Sequence, residues 1–489
     1  MESIMKLIQT PIRKAAVFVM LTALLVGCDD FGNLNVDPNN PSQVRTELLL
    51  TNVQRDISAV SGAVIGNLWV QYMAETQYDD DSRYSTTTFN FNGWYTGALM
   101  DLQTIIDLNT DEATSGDALS GGSNNNQIAV ARILKAYFFN VITDRWGMLP
   151  YSEALQGSAN FRPSYDSQEV IYVDLLNELK EAVNQMDTGP GVRGDIIFGG
   201  NMTRWAEFAN SLRARIALRM ADTNRSALAE SEFVDAVNSG VISEDVMYPY
   251  LGEAANQNPW FARFITRTDY AISDVLANYM KGLEDHRVLR YADPAPDFHT
   301  AGEEVTFNNI VGMPYSVENP GDITNSSISF PGAAIRGQDS PLPIITVSEL
   351  HFAMAEAVER GWMAGSAENH YLAGIEASWN QWDVYDAANF TNYVSNAEVV
   401  YDSANWQEKI GTQKWVALFP NGFEAWAEWR RLGFPQLTPH SLPLNASGEI
   451  PRRHAYPTSE AQLNKINYDA AVSAQGADTP DTRLWWDVN

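Results

Sequence analysis

The chain has 489 residues, 45% of them hydrophobic, with 61 Asp+Glu against 32 Lys+Arg and one cysteine. That length can bury a large core, while the acidic excess, a formal −29, repels phosphate backbones and anionic lipid. Composition therefore argues against nucleic acid as a partner and for neutral or cationic ligands, and a lone thiol excludes an internal disulfide or a Cys-based zinc cluster.

Residues 1–27 read as a targeting segment. Lys6, Arg13 and Lys14 precede the apolar run Ala15–Val26, which is shorter than the roughly 20 residues of a membrane span. The following Leu25-Val26-Gly27-Cys28 resembles the lipobox of bacterial lipoproteins, in which the cysteine carries the lipid. Asp29 and Asp30 resemble a signal that directs lipoproteins to the outer face of the outer membrane. A soluble secreted protein with an incidental cysteine is the other reading. Removing residues 1–27 leaves 29 Lys+Arg against 60 Asp+Glu, a formal −31. Residues 28–42 form a lipidated N-terminal arm, and Asn33–Ser42, with two prolines and four asparagines, reads as extended with turns. Residues 43–489 are expected to form a single domain.

Helical periodicity then dominates. Gln127–Ile142 and Glu169–Met186 carry apolar stripes, separated by the Gly and Pro of Arg145–Leu155. Arg204–Asp222 places Trp205, Phe208, Ala209, Leu212 and Ile216 on one stripe, with Thr203 as the expected N-cap. In Ser348–Trp379 two helical segments meet at Gly361–Gly365, with the small and aromatic residues Ala355, Gly361, Ala367, Tyr371 and Ala377 at tetratricopeptide-like spacing. Any helical hairpin with small residues at its crossing would look alike. Trp426 and Trp429, three apart on a helix, read as packing residues.

Regions 75–97, 110–126, 186–202, 291–342 and 440–460 are instead rich in Gly, Asn, Ser, Asp and Pro, and loops this long are usually functional or disordered. The segment 75–97 sets Tyr78, Tyr84, Phe89, Trp94 and Tyr95 beside Asp79–Asp81 and Arg83. Flat rings beside hydrogen-bonding groups suit neutral sugars, whose apolar faces stack while their hydroxyls are met by Asp, Asn and Arg. The same rings could equally tuck against the first helix. A second cluster is Asn256–Tyr270 with Trp260, Phe261 and Arg263, and a third holds Phe298 and Tyr315.

No His-Glu-x-x-His, Gly-x-Ser-x-Gly or phosphate-cradling glycine loop occurs, and the six histidines show no ligand spacing. No cofactor and no metal are expected. Asp79-Asp80-Asp81 lacks the alternation of a calcium loop and reads as solvated, with calcium as the alternative. A glycoside hydrolase stays open as the enzyme alternative, because its carboxylate pair is recognised in space and not in sequence.

Several stretches together resemble the SusD/RagB family of outer-membrane lipoproteins. They are Cys28 and the arm Asn35–Ser42, Arg145-Trp-Gly to Ser152-Glu-Ala-Leu155, Trp205–Arg219, Ala355-Glu-Ala to Gly361-Trp362, Gln413–Gly422, Glu428-Trp-Arg-Arg431, Pro451-Arg-Arg453 and Leu484-Trp-Trp-Asp487. The resemblance implies a mainly α fold, about four tetratricopeptide-like helix pairs with a loop-rich ligand-binding face. It also implies a non-catalytic function: capture of an oligosaccharide, or in some members a peptide, for delivery to a TonB-dependent outer-membrane transporter (SusC-like) contacted by the helix pairs. Tyr78, Asp81, Arg83 and Trp94 are then the first ligand-binding expectations, followed by Trp260 and Tyr315. A purely structural lid on the transporter is the remaining alternative.

Overall fold

The computed structural model describes residues 44–488. Cys28, the targeting segment and the arm to Ser42 lie outside the described residues. Thr46–Asn489 forms one compact unit.

Its frame is a succession of antiparallel helix neighbours. Helix α1 (Thr46–Asp56) and the short α2 (Val64–Trp69) lead to α3 (Met100–Thr110), and four helix pairs follow. They are α4 (Asn124–Trp146) with α5 (Gln168–Gln185), α6 (Met202–Arg219) with α7 (Ser226–Asn238), α8 (Val347–Glu359) with α9 (Ala367–Gln381), and α10 (Trp406–Ala417) with α11 (Gly422–Leu432). The four helix pairs implied by the resemblance, and the hairpin read at Ser348–Trp379, are the observed ones.

Caps set the helix starts. Ser167, Thr346 and Ser366 each accept a backbone N–H in the first turn of α5, α8 and α9. The α6 cap is Asn201 and not Thr203: Asn201 Oδ1 accepts from both Thr203 N and Arg204 N, so the helix begins at Met202. Close approach between helices depends on missing side chains. A Cβ on Gly422 would lie 2.2 Å from Asn67 N, and one on Gly66 would lie 2.4 Å from the Gly422 carbonyl carbon, so α2 and α11 cross backbone to backbone. In the α8–α9 pair, Gly374 faces the Phe352 ring and its carbonyl accepts from Ser348 Oγ at 2.7 Å.

Buried charge ties the pairs together. Arg215 of α6 makes a bidentate pair with Glu349 of α8 (2.6 and 2.7 Å). Arg219 of α6 reaches Asp144 of α4 and both Glu424 and Glu428 of α11. Lys414 of α10 meets Glu428 at 2.7 Å, and Arg431 joins Glu428 to Glu356 of α8. Burial opposes the Glu428 charge, but Arg431, Lys414 and Arg219 outweigh it and hold that carboxyl well below the usual range.

The strands are short ribbons. β2 (Leu149–Pro150) pairs with β3 (Tyr165–Asp166), and β4 (Val246–Tyr248) with β6 (Leu342–Ile345). The functionally informative ribbon is β1 (Met73–Glu75) against β5 (Tyr270–Ile272), antiparallel with Ala74 opposite Ala271. A satellite core of Ala74, Ala271, Met313, Tyr315 and Ile328 lies with this ribbon, so segments far apart in sequence emerge together at its end.

Candidate ligand-binding face

The loop after β1 is held from beneath by one carboxylate. Glu75 is buried and accepts from Ser82 N at 2.8 Å, while burial, eased by Ser82 and increased by Asp81 and Asp79, pushes its carboxyl up to about 8. Thr76 fixes the loop base to the far strand, its N donating to Asp269 O and its Oγ1 to Thr268 O (2.8 and 2.7 Å). Tyr315 OH lies 2.9 Å from Leu68 O and 3.1 Å from Ser82 O, and buried Tyr84 accepts from His440 N at 3.0 Å.

Two tyrosines of this loop, Tyr78 (φ +55°) and Tyr84 (φ +65°), occupy the left-handed region, which is costly for an aromatic residue. Tyr84 is repaid by complete burial. Tyr78 is not: its ring is 72% exposed, capped on one side by the Arg267 guanidinium 5.0 Å from the centroid. Arg267 is in turn fixed by Asp269 (Nε to Oδ1, 3.1 Å). From there the surface continues through neighbours. Asn325 Nδ2 donates to Thr268 Oγ1 at 2.7 Å, Ser326 Oγ to Asp297 Oδ2 at 3.0 Å, and beside Asp297 stands Phe298, 53% exposed. Two displayed rings thus bound a run of carboxylate, amide, hydroxyl and guanidinium groups.

The expected site residues divide. Tyr78, Asp81 and Arg83 share the loop. Arg83 donates from Nε to Leu442 O at 2.7 Å and lies 3.5 Å from Asp79, while Asp81, part-exposed, accepts from Tyr84 N through its main-chain carbonyl. Trp94 is placed elsewhere, its half-buried ring packed 5.2 Å from Phe138 of α4. Trp260 and Tyr315 are corrected. Trp260 is 0% exposed, drawn inward because the Asn258 cap beneath it is itself buried and bonded to Ile335 O and Ser340 O. Tyr315, 4% exposed, is the internal strut of the loop. Arg267, Asp269, Asn325 and Ser326 were not singled out from the sequence: the β1–β5 pairing brings Arg267 and Asp269 to the loop, and Asn325 joins them through Thr268.

Among the described residues no group of three or more His, Cys, Asp or Glu is placed to hold a metal ion, and no helix is long and apolar enough to cross a membrane.

The profile of SusD-like proteins, described as starch-binding and associating with the outer membrane, matches residues 38–457. The chain belongs to this SusD/RagB family. Solved SusD-like structures superimpose along nearly its whole length. A chitin-binding protein is 26% identical with a TM-score of 0.77, covering 91% of this chain and 100% of its own. A SusD homolog from Bacteroides fragilis, also 26% identical at 0.77, covers 91% and 99%. A chitin-binding SusD homolog from Flavobacterium johnsoniae, 24% identical with a TM-score of 0.73 and covering 91% and 99%, shares the fold. No curated protein matches the chain.

Proposed function

We propose that this SusD-like protein is a non-catalytic cell-surface lipoprotein that captures a neutral glycan and passes it to a TonB-dependent outer-membrane transporter. The carrying observation is Tyr78, a ring displayed at a conformational cost on a loop clamped from below, with polar groups beside it. Membership of a family described as starch-binding, and relatives named chitin-binding, support a sugar as the ligand. Anchorage through Cys28, an outward-facing location and docking of the helix pairs on the transporter belong to the same reading.

A catalytic role has weaker support. Glu75 has the raised pKa of a general acid, but it lies beneath the loop and bonds Ser82 N, where a glycosidic oxygen cannot reach it. The acidic field, −29 over the whole chain, supports a second reading, a receptor for basic peptides.

Thermal unfolding against soluble oligosaccharides and peptides tests the proposal, since any ligand that binds only the native state raises the midpoint. A shift with an oligosaccharide, reduced in Tyr78→Ala, is expected. Shifts with peptides alone would replace the glycan by a peptide, and silence in both sets would leave a lid for the transporter.

A further inference from the structure

A second concavity lies on the other side of the segment that backs the Tyr78 loop. Residues 437–449 contact Arg83 through Leu442 O and Leu444 N, and the same segment lines a cavity of about 380 Å³ with Leu437, Pro439, Ser447 and Glu449. That size falls within the roughly 300–1,000 Å³ range of small-molecule sites.

Its construction is rigid on three sides. The Trp429 indole forms one wall, and its ring is fixed because Nε1 donates to Pro435 O at 3.1 Å. The floor is an ion cluster: Arg452 and Arg483 both pair with Asp487, and Arg452 Nη2 also donates to Arg430 O. Opposite, Ser447 Oγ donates to Asp481 Oδ1 at 2.5 Å and joins the two remaining walls. Asn445 Nδ2 donates to Ser447 Oγ and to Glu449 O, which shapes the turn presenting Glu449.

The polar groups are unequally occupied. Both arginines are neutralised in part by the one Asp487, while the exposed Glu449 carboxylate makes no hydrogen bond or ion pair among the described residues. An aromatic wall, apolar Leu437 and Ile450, and carboxylates with free acceptor capacity are what a pyranose needs: a surface for its C–H face and acceptors for its hydroxyls. An anionic sugar would meet Glu449 and Asp481 directly.

We infer that this cavity is a second saccharide pocket, separate from the Tyr78 face, that takes one or two pyranose rings of an uncharged sugar with Glu449 and Asp481 as hydroxyl acceptors. It is an addition to the proposed glycan capture and is tested independently of it.

The test is calorimetric titration of the protein with maltose, cellobiose and N,N′-diacetylchitobiose. Glu449 and Asp481 are exposed, so Glu449→Ala and Asp481→Ala keep the fold, verified by an unchanged unfolding midpoint. The expected result is that at least one disaccharide binds, that either substitution weakens it at least about tenfold, as loss of a charge-assisted hydrogen bond does, and that Tyr78→Ala changes it less than about twofold. The inference is overturned if no disaccharide binds, or if Tyr78→Ala removes binding that Glu449→Ala and Asp481→Ala leave intact. The last outcome would keep the Tyr78 face as a sugar site and dismiss the pocket alone.

Discussion

The helical frame and the candidate ligand-binding face use the same residue types to opposite ends. In the frame, Arg219, Asp144, Glu424, Glu428 and Arg431 are buried and neutralise one another across α4, α6 and α11. At the face, Arg267, Asp269 and Asn325 stand at the surface in local pairs, with capacity left for a ligand. The aromatics divide likewise: Trp260 is buried beside the buried Asn258 cap, whereas Tyr78 is held out by a loop whose other tyrosine, Tyr84, is buried. Exposure, and not composition, separates the residues of the candidate face from those of the frame.

The sharpest way to break that contrast is to remove a frame charge. Arg219→Ala strands Asp144, Glu424 and Glu428 without their shared partner, and breaking a buried pair in this way costs about 3–5 kcal/mol. Urea unfolding is expected to show that loss. An unchanged midpoint would mean that the helix pairs do not depend on the ion network.

Glu75 is where the two regions meet, and its effect follows the sign of its shift. The folded carboxyl holds its proton to about pH 8 and the unfolded one releases it near 4.5, so between these values the native state binds the extra proton. Stability therefore falls as pH rises through that window, and the loss is complete above about pH 8. Glu75→Gln, which still offers Ser82 N an acceptor, is expected to match the parent near pH 4 and to exceed it by up to about 5 kcal/mol at pH 9. Urea titrations at the two pH values check this; parallel pH profiles would show that the loop does not bury a titrating carboxyl.

Tyr315→Phe is smaller. It deletes the hydroxyl that meets Leu68 O and Ser82 O, at a cost of about 1–3 kcal/mol. Amide exchange should quicken around Ser82 and Arg83 more than in α4 or α6. Uniform acceleration would place Tyr315 in the global core instead of under the loop.

The frame was legible because helices announce themselves locally. The stripe at Arg204–Asp222 became Met202–Arg219, and the one at Glu169–Met186 became Gln168–Gln185. Several stretches that carried the family resemblance, with Glu356, Lys414, Glu428 and Arg431, turn out to hold the buried ion network. They mark the scaffold and say little about the ligand. The face was half legible. The segment 75–97 was found by its rings, but whether a ring points out depends on contacts made far away, such as Asn258 with Ile335 or Tyr315 with Leu68. The loop 186–202 shows the same limit, since its polar residues serve the fold: Asp195 accepts from Gln54, from three following backbone N–H groups and from Trp205 Nε1.

Tyr78→Ala should be nearly invisible to stability and decisive for binding. The ring is mostly exposed, so its removal gives up little buried area, and a small residue at φ +55° is no better placed than tyrosine; the midpoint should stay within about 0.5 kcal/mol of the parent. Loss of one stacking platform is worth about 1–1.5 kcal/mol, which lowers affinity for an oligosaccharide bound at the face by roughly five- to tenfold. Tyr78→Phe keeps the ring and loses only the hydroxyl, so it should bind almost as well. If Phe fails as completely as Ala, the hydroxyl and not the aromatic face makes the contact, and the loop would be presenting a hydrogen-bonding group. If both bind normally while uptake proceeds, the displayed ring belongs to an interface with the transporter and the sugar is held elsewhere.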